Sequence, residues 1–445
     1  MRISKILHFF NTGTEHENPW WLAGGVAESD TYTIYSPVSA TSLADSKINL
    51  ANPGVRDAIA GVDPSHSQNV GWTFNGTTQW LNSQTLMGQT STMVIWFEDC
   101  TGVYAIGSQD VGPTRYVALR PVENPNTAFY KGTGSATAGG TSRGGIIGMN
   151  QTNGFKQGIS VATLGAWSGA TGNDFVYIGG LNANGTANQF AAVKIRRVAM
   201  YPGVSLTDAQ FLAVAKAGND YNQPSADPYE SVVLSTNPVC YWPCTQAYGS
   251  AIFDKSGNEA HGESYFLSVG NSQGNKGLSI AGDGVTSHNL YTVGNWAART
   301  GLNLNEYSIG AWIKVTVDAS NQVRVFNTYS NNQTEYSALE IRTGNQLTLF
   351  HRENGVDQNI GSSLLPDVVD GQWHHVILYN SLSAGKYGIY FDGVKYEFTK
   401  TLTGFADTSP DYGYPYVWQD AFGYVQHVPM WDHALSQSEV NTLYI

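Results

Sequence analysis

Short apolar runs, broken at close intervals by Gly, Asn and Pro, set the pattern of this chain. In the first half they fall at Gly71–Phe74, Met93–Phe97, Tyr116–Leu119, Gly145–Met149 and Phe175–Gly179. In the second half they fall at Tyr307–Val315, Val323–Asn327, Ala338–Ile341, Gln346–Phe350, His374–Tyr379 and Tyr387–Phe391. Runs of this length between turn residues predict strands, and many of them in series predict a β-sandwich. Asp392 and Gly393, directly after one run, predict a tight hairpin. Helical signals are few. Ser42–Asn52 is stopped by Pro53 and Gly54. Ser205 with Asp208, and Ser436 with Glu439, each predict a capped helix after a last strand (Val193–Tyr201 and Gly423–Trp431).

Both halves therefore end strand, capped helix, stop. Both also carry Gly-rich text before a strand, at Phe74–Trp80 and Ile280–Thr286. A repeat of about 200 residues is too long for a solenoid and reads as a duplicated domain. We divide the chain into an N-terminal arm (1–31), a first sandwich (32–217), a polar linker with two prolines (218–230) and a second sandwich (231–445). The arm carries Trp20 and Trp21 after Pro19, and exposed aromatics on an arm predict docking on a partner. Packing on its own first domain is the alternative.

Composition narrows the function. The charged share is only 13%, against about 25% in ordinary chains, so the polar surface is built from amides and hydroxyls. Such a surface suits glycans and protein neighbours. The net charge of −12, with no basic cluster, argues against nucleic acid. Cys100, Cys240 and Cys244 are an odd set without metal-type partners, so we expect free, partly buried thiols. The apolar run Ile6–Phe10 is broken by His8 and is shorter than the roughly 7–15 residues of a signal core. No stretch approaches the roughly 20 apolar residues of a membrane span.

The second half resembles the laminin-G-like, concanavalin A-like lectin/glucanase superfamily. The likeness rests on Tyr241–Pro243, Phe253–Gly262, Tyr307–Lys314, Gly371–Val376, Tyr390–Gly393 and Met430–Val440, in that order. The last segment is similar to the closing strand and helix of pentraxins. The first half resembles the same superfamily over about 32–217, in a version common among phage structural proteins, on Ser46–Asp57 and Gly71–Leu81. The resemblance implies an all-β chain of two tandem concanavalin A-like jelly-roll sandwiches with a short arm. One fold hosts many functions, so it says less about activity.

Glucanases of the superfamily carry Glu-x-Asp-x-x-Glu on one strand, which alternation places on one face. Glu98 with Asp99, Glu335 with Glu340, and Glu353 with Asp357 all have the wrong spacing. No catalytic residue is assigned, and we expect no enzyme. The resemblance makes Trp373 and the adjacent His374–His375 structural. Pentraxins bind Ca²⁺ through loops that correspond to Asn331, Asn332, Gln419 and Asp420, a set short of carboxylates for an ion that takes six to eight oxygens. Ca²⁺ is the one cofactor this pattern allows. Tyr412, Tyr414, Tyr416 and Trp418 alternate, so an extended backbone puts them on one side as a candidate sugar platform. These readings give three expectations. The first is a non-catalytic virion subunit, a capsid decoration or head/tail fibre protein. It would be assembled in a host cytoplasm as a homo-oligomer among other virion proteins, and its lectin-like domains would meet host-surface glycans. The second is a cell-surface or secreted carbohydrate-binding lectin. A polysaccharide hydrolase ranks third.

Overall fold

The structure is a computed structural model. It describes residues 19–110, 116–123, 126–139, 142–165, 174–220, 227–245, 251–265, 267–274, 277–283, 289–292, 299–303, 305–316, 323–329, 336–342, 346–353, 356–360, 365–399, 415–419 and 422–444. The chain is almost entirely β. Strands within 33–201 fill two sheets, and strands within 240–431 fill two more.

The two units share one topology. In the first, one sheet runs Ile159–Thr163, Asn153–Lys156, Gly145–Met149, Thr92–Gly102, Ala191–Tyr201, Gly71–Asn75, Ser65–Ser67. In the second, it runs Val394–Thr399, Lys386–Phe391, His374–Ser381, Glu306–Val315, Phe422–Gln426, Gly277–Asp283, Ser268–Gly274. The short strands Thr33–Tyr35 and Cys240–Trp242 pair with the closing strand of their own unit. The facing sheets match as well. One runs Gly134–Gly139, Asn126–Gly132, Tyr116–Glu123, Ile106–Gln109, Tyr177–Ile178, Trp80–Asn82, Ile59–Val62. The other runs Val356–Ile360, Gln346–Glu353, Tyr336–Arg342, Val323–Tyr329, Pro415–Gln419, Asn289–Thr292, Gly262–Tyr265, Ala251–Ile252. The repeat visible in the sequence is thus a repeat of strand order.

Each unit has one sheet covered on both sides. In Thr92–Gly102, Met93, Ile95 and Phe97 face the sandwich core, while Val94 and Trp96 face a second apolar cluster outside it. In Glu306–Val315, Ile309, Ala311 and Ile313 face the core and Trp312 faces outward into another cluster. Cover on both faces is why these strands read as continuous apolar runs rather than alternating ones. The outer cover comes from chain ends. Over Trp96 lie the short helix Trp20–Leu22 and the helix Asp208–Asp220, and the Trp96 indole N–H donates to Ala215 O at 3.2 Å. Over Trp312 lie Pro228–Leu234 and Gln437–Leu443, joined where Tyr229 donates its hydroxyl to Leu443 O. We call this the capped sheet of each unit, and its partner the open sheet.

This arrangement corrects the docking arm. Trp20 and Trp21 are buried, Trp20 meets Trp96 edge-on at 5.0 Å, and Tyr201 donates to Trp21 O at 2.9 Å. The arm is the first unit's counterpart of Pro228–Leu234, so its aromatics are spent on its own sheet. The linker residues 218–220 complete one helix, 228–230 open the next, and 221–226 lie outside the described residues. The predicted helix cap also moves. Thr207, not Ser205, caps Asp208–Asp220, because Gln210 lies three residues on. Gln210 N–H donates to Thr207 Oγ1 at 3.2 Å and Thr207 N–H donates to Gln210 Oε1 at 3.1 Å, a reciprocal capping box. The Ser205 hydroxyl instead accepts from Gln151 N–H. Ser436 and Glu439 form the capping box expected of them. Asp392 and Gly393 make the expected hairpin, with φ of +48° and +78°. The three cysteines form no disulfide and are buried, and burial pushes the Cys100 thiol up to about 12.

Two tyrosines make the fold alkali-sensitive. Tyr35 donates to Arg56 O at 2.6 Å and Tyr201 to Trp21 O, and burial raises both phenols well above 10. A phenol with a raised folded pKa contributes stability that is complete below the unfolded value of about 10 and is lost as pH rises through it. The melting temperature should therefore fall steeply above pH 10. The ultraviolet signal of tyrosinate from these two should appear only with unfolding. Tyrosinate formed by Tyr35 and Tyr201 while the native circular dichroism persists would contradict this.

Candidate functional site

The open sheet of the first unit presents the most distinctive cluster. Along Tyr116–Glu123 the core takes Val117, Leu119 and Val122, so alternation sends Tyr116, Ala118 and Arg120 to the outer face. Register places Tyr130 of the neighbouring strand opposite Ala118. Tyr104, just before Ile106–Gln109, joins them. The Tyr130 ring lies 5.4 Å from Tyr104 and 5.6 Å from Tyr116. The floor is flat because Gly107 sits against Ala118, where a Cβ on Gly107 would come within 2.4 Å of the alanine methyl.

Charge within the cluster is balanced. The Arg120 guanidinium stands 5.8 Å from the Tyr104 ring centre and pairs with Glu123 at 3.1 Å. Tyr130 donates its hydroxyl to the other Glu123 oxygen at 2.7 Å. Burial raises the phenols of Tyr104, Tyr116 and Tyr130, and for Tyr130 the Glu123 carboxylate adds to it. All three therefore stay neutral hydrogen-bonding groups at ordinary pH. Further along the same face Trp80 stacks on Tyr177 at 4.1 Å. The result is a compact aromatic cluster in which Tyr104 and Tyr177 are buried and Tyr116, Tyr130 and Trp80 are half-buried, around one neutralised guanidinium.

The second unit carries different chemistry at the same positions. Ala338 stands opposite Phe350 as Ala118 stands opposite Tyr130. Glu340 then corresponds to Arg120, and Arg324 to Tyr104. Glu340 is held by Arg342 at 2.9 Å and Arg324 at 3.5 Å. The Arg342 guanidinium lies 4.8 Å over the Phe350 ring.

Residues 282–441 match the concanavalin A-like lectin/glucanases superfamily, by its Laminin_G_3 model. The match covers most of the second unit, whose main strand order the first unit shares. No curated protein matches the chain in sequence. Among solved structures, the chain is similar to domain 4 of AbnA, a GH43 extracellular arabinanase from Geobacillus stearothermophilus, in complex with arabinotriose. The identity is 16%, over 47% of this chain and 98% of that one, with a TM-score of 0.38. It is also similar to the binding domain of botulinum neurotoxin serotype D, at 14% identity, over 48% of this chain and 52% of that one, with a TM-score of 0.36. The chain thus spans about half the length of that binding domain.

The superfamily-based candidates fare unevenly. Tyr412, Tyr414, Asn331, Asn332 and Asp420 lie outside the described residues. Tyr416 and Gln419 fall in the strand Pro415–Gln419, paired with Asn327 and Arg324. Trp418 is a correction to the proposed sugar platform. It is fully buried in the second core beside Val417, because a φ of +60° at Trp418 breaks the alternation that would have turned it outward. No group of three or more His, Cys, Asp and Glu side chains suited to a metal occurs among the described residues. His374 is clamped between Asp392 at 2.7 Å and Asp370 at 3.0 Å, tying the loop before its strand to the Asp392–Gly393 hairpin. The Tyr104–Tyr116–Tyr130 cluster was missed from sequence. Its one visible trace is the alternation that turns Tyr116 and Arg120 away from Val117 and Leu119.

Proposed function

We propose that this chain is a non-catalytic glycan-binding protein whose first sandwich offers the outer face of its open sheet to a neutral saccharide. The observation that carries this reading is the group of Tyr104, Tyr116 and Tyr130 around Arg120 over a flat Gly107–Ala118 floor. Sugar C–H faces stack on aromatic rings, and phenols and a guanidinium supply the hydrogen bonds that orient hydroxyls. Because Glu123 neutralises Arg120, the face offers no net charge for an acidic sugar. The non-catalytic part rests on the missing Glu-x-Asp-x-x-Glu pattern, and release of reducing ends from a polysaccharide panel would overturn it.

The test is glycan-array screening followed by calorimetry on the strongest neutral ligand. Tyr130→Ala should weaken binding about tenfold, the value of one aromatic stack. Unchanged affinity in a folded Tyr130→Ala protein would remove this face as the site. A virion subunit remains the second reading, favoured by the likeness of Ser46–Asp57 and Gly71–Leu81 to phage structural proteins. Mass spectrometry of purified particles from the source decides it, since a virion subunit is present in many copies per particle.

A further inference from the structure

Glu123 reaches the outer face of the first open sheet because its strand carries one extra residue. Arg120 pairs with Ala128 and Glu123 with Asn126, so three steps along Tyr116–Glu123 match two along Asn126–Gly132. Strict alternation would turn Glu123 toward the core, three positions after an outward Arg120. The bulge at Pro121 and Val122 resets the alternation. Val122 packs on the core, and Glu123 returns to the side of Arg120 and Tyr130. Proline suits this place because it has no N–H to leave unpaired. Its carbonyl accepts from Thr127 Oγ1 and from Ser142 N–H, both at 3.0 Å.

The carboxylate placed in this way ties two groups of the cluster together. Oε1 meets Arg120 Nη1 at 3.1 Å, and Oε2 accepts the Tyr130 hydroxyl at 2.7 Å. The Arg120 and Glu123 side chains are 27% and 32% exposed, so solvent reaches both. A carboxylate offers about four lone-pair sites, so Glu123 can still accept from a ligand after these two bonds. A sugar hydroxyl set against the pair donates to Glu123 and accepts from Arg120. A carboxylate set there has no proton to donate and meets Glu123 charge to charge. A hexose and its uronic acid differ in this one group, a hydroxymethyl against a carboxylate on the same carbon. We infer, on the glycan-binding reading of this face, that Glu123 is its specificity-determining residue, admitting a hexose hydroxymethyl group and turning away the carboxylate of the matching uronic acid.

The test uses the full chain and tetrasaccharides of glucose, mannose and galactose, each beside its uronic acid counterpart in the same linkage. Binding is read by calorimetry at low salt. The parent should bind at least one hexose form about tenfold more tightly than its acid. Glu123→Gln keeps the shape and removes the charge, and should lower that ratio about tenfold. Glu123→Asp keeps the charge and should keep the preference. Tyr130→Ala should weaken the hexose form, which places the binding on this face. An unchanged ratio in a folded Glu123→Gln protein, with hexose binding still lost in Tyr130→Ala, would overturn the inference and leave the glycan site standing. An equal loss of both forms in Glu123→Gln would overturn it too, since that marks a carboxylate with a structural role alone. Silence of the parent toward every hexose form would overturn the glycan-binding reading, and this inference with it.

Discussion

Acidification from pH 7 to pH 3 is expected to remove up to about 5 kcal/mol of folding stability through His261 alone. His261 is fully buried, and burial, with Lys216 and Arg299 adding repulsion, lowers its pKa from 6.5 to about 3. Its Nδ1 accepts from the Asp254 N–H at 3.2 Å, so a second proton would cancel that bond as well as place charge in the interior. The sign follows from linkage. The unfolded chain takes up a proton near 6.5 and the folded chain only near 3, so the contribution is complete above 6.5 and drains away between those values. His374 works in the opposite direction. Burial disfavours its charge, but Asp392 and Asp370 together outweigh that and raise its pKa, so its contribution is lost on going up in pH. Denaturant titrations at stepped pH should show the steep acid limb in the parent chain and a flattened one in His261→Gln. An identical acid limb in the variant would show that other groups control acid unfolding.

The second large effect lies where the two sandwiches meet. Ala251 and Phe253 of the second unit are buried in one cluster with Phe211, Val214 and Ala215 of the first. Beside that contact Glu263, fully buried, accepts from Gln157 Nε2 at 3.1 Å. Lys156 is buried close by. Desolvation lowers its pKa, and the Glu263 charge opposes that. Replacing Glu263 removes a buried charge that favours the charged form of Lys156 and an acceptor of Gln157, a change expected to cost about 3 kcal/mol. Glu263→Gln should therefore destabilise the chain by that order. Lys156→Met combined with Glu263→Gln should recover part of the loss, since the charge that Glu263 helps to offset is then removed as well. A double-mutant cycle by urea unfolding reads the coupling. The Gln157–Glu263 hydrogen bond also ties the units together, so Glu263→Gln should split one unfolding transition into two. If Glu263→Gln unfolds within 0.5 kcal/mol of the parent, a threshold for surface-like substitutions, then the interface does not depend on this pair.

The sequence by itself determined the elements and their repetition, because these depend on local chemistry. Continuous apolar runs located Met93–Phe97 within Thr92–Gly102 and Tyr307–Val315 within Glu306–Val315. The Asp392–Gly393 turn needs two positive φ values, which Asp tolerates and Gly favours. The Ser436–Glu439 capping box closes within four residues. Only the tertiary structure decided what each face presents. Tyr104, Tyr116 and Tyr130 come from three chain segments, and strand register alone brings their rings together. Trp20 and Trp21 looked like a free arm, because the surface they cover, around Trp96 and Tyr201, is far away in the chain. Trp418 looked outward-facing, because period-two alternation holds only while φ stays extended, and one residue at +60° turns its side chain into the core. Pairing between distant strands is fixed by the packing of whole sheets, and no local pattern encodes it.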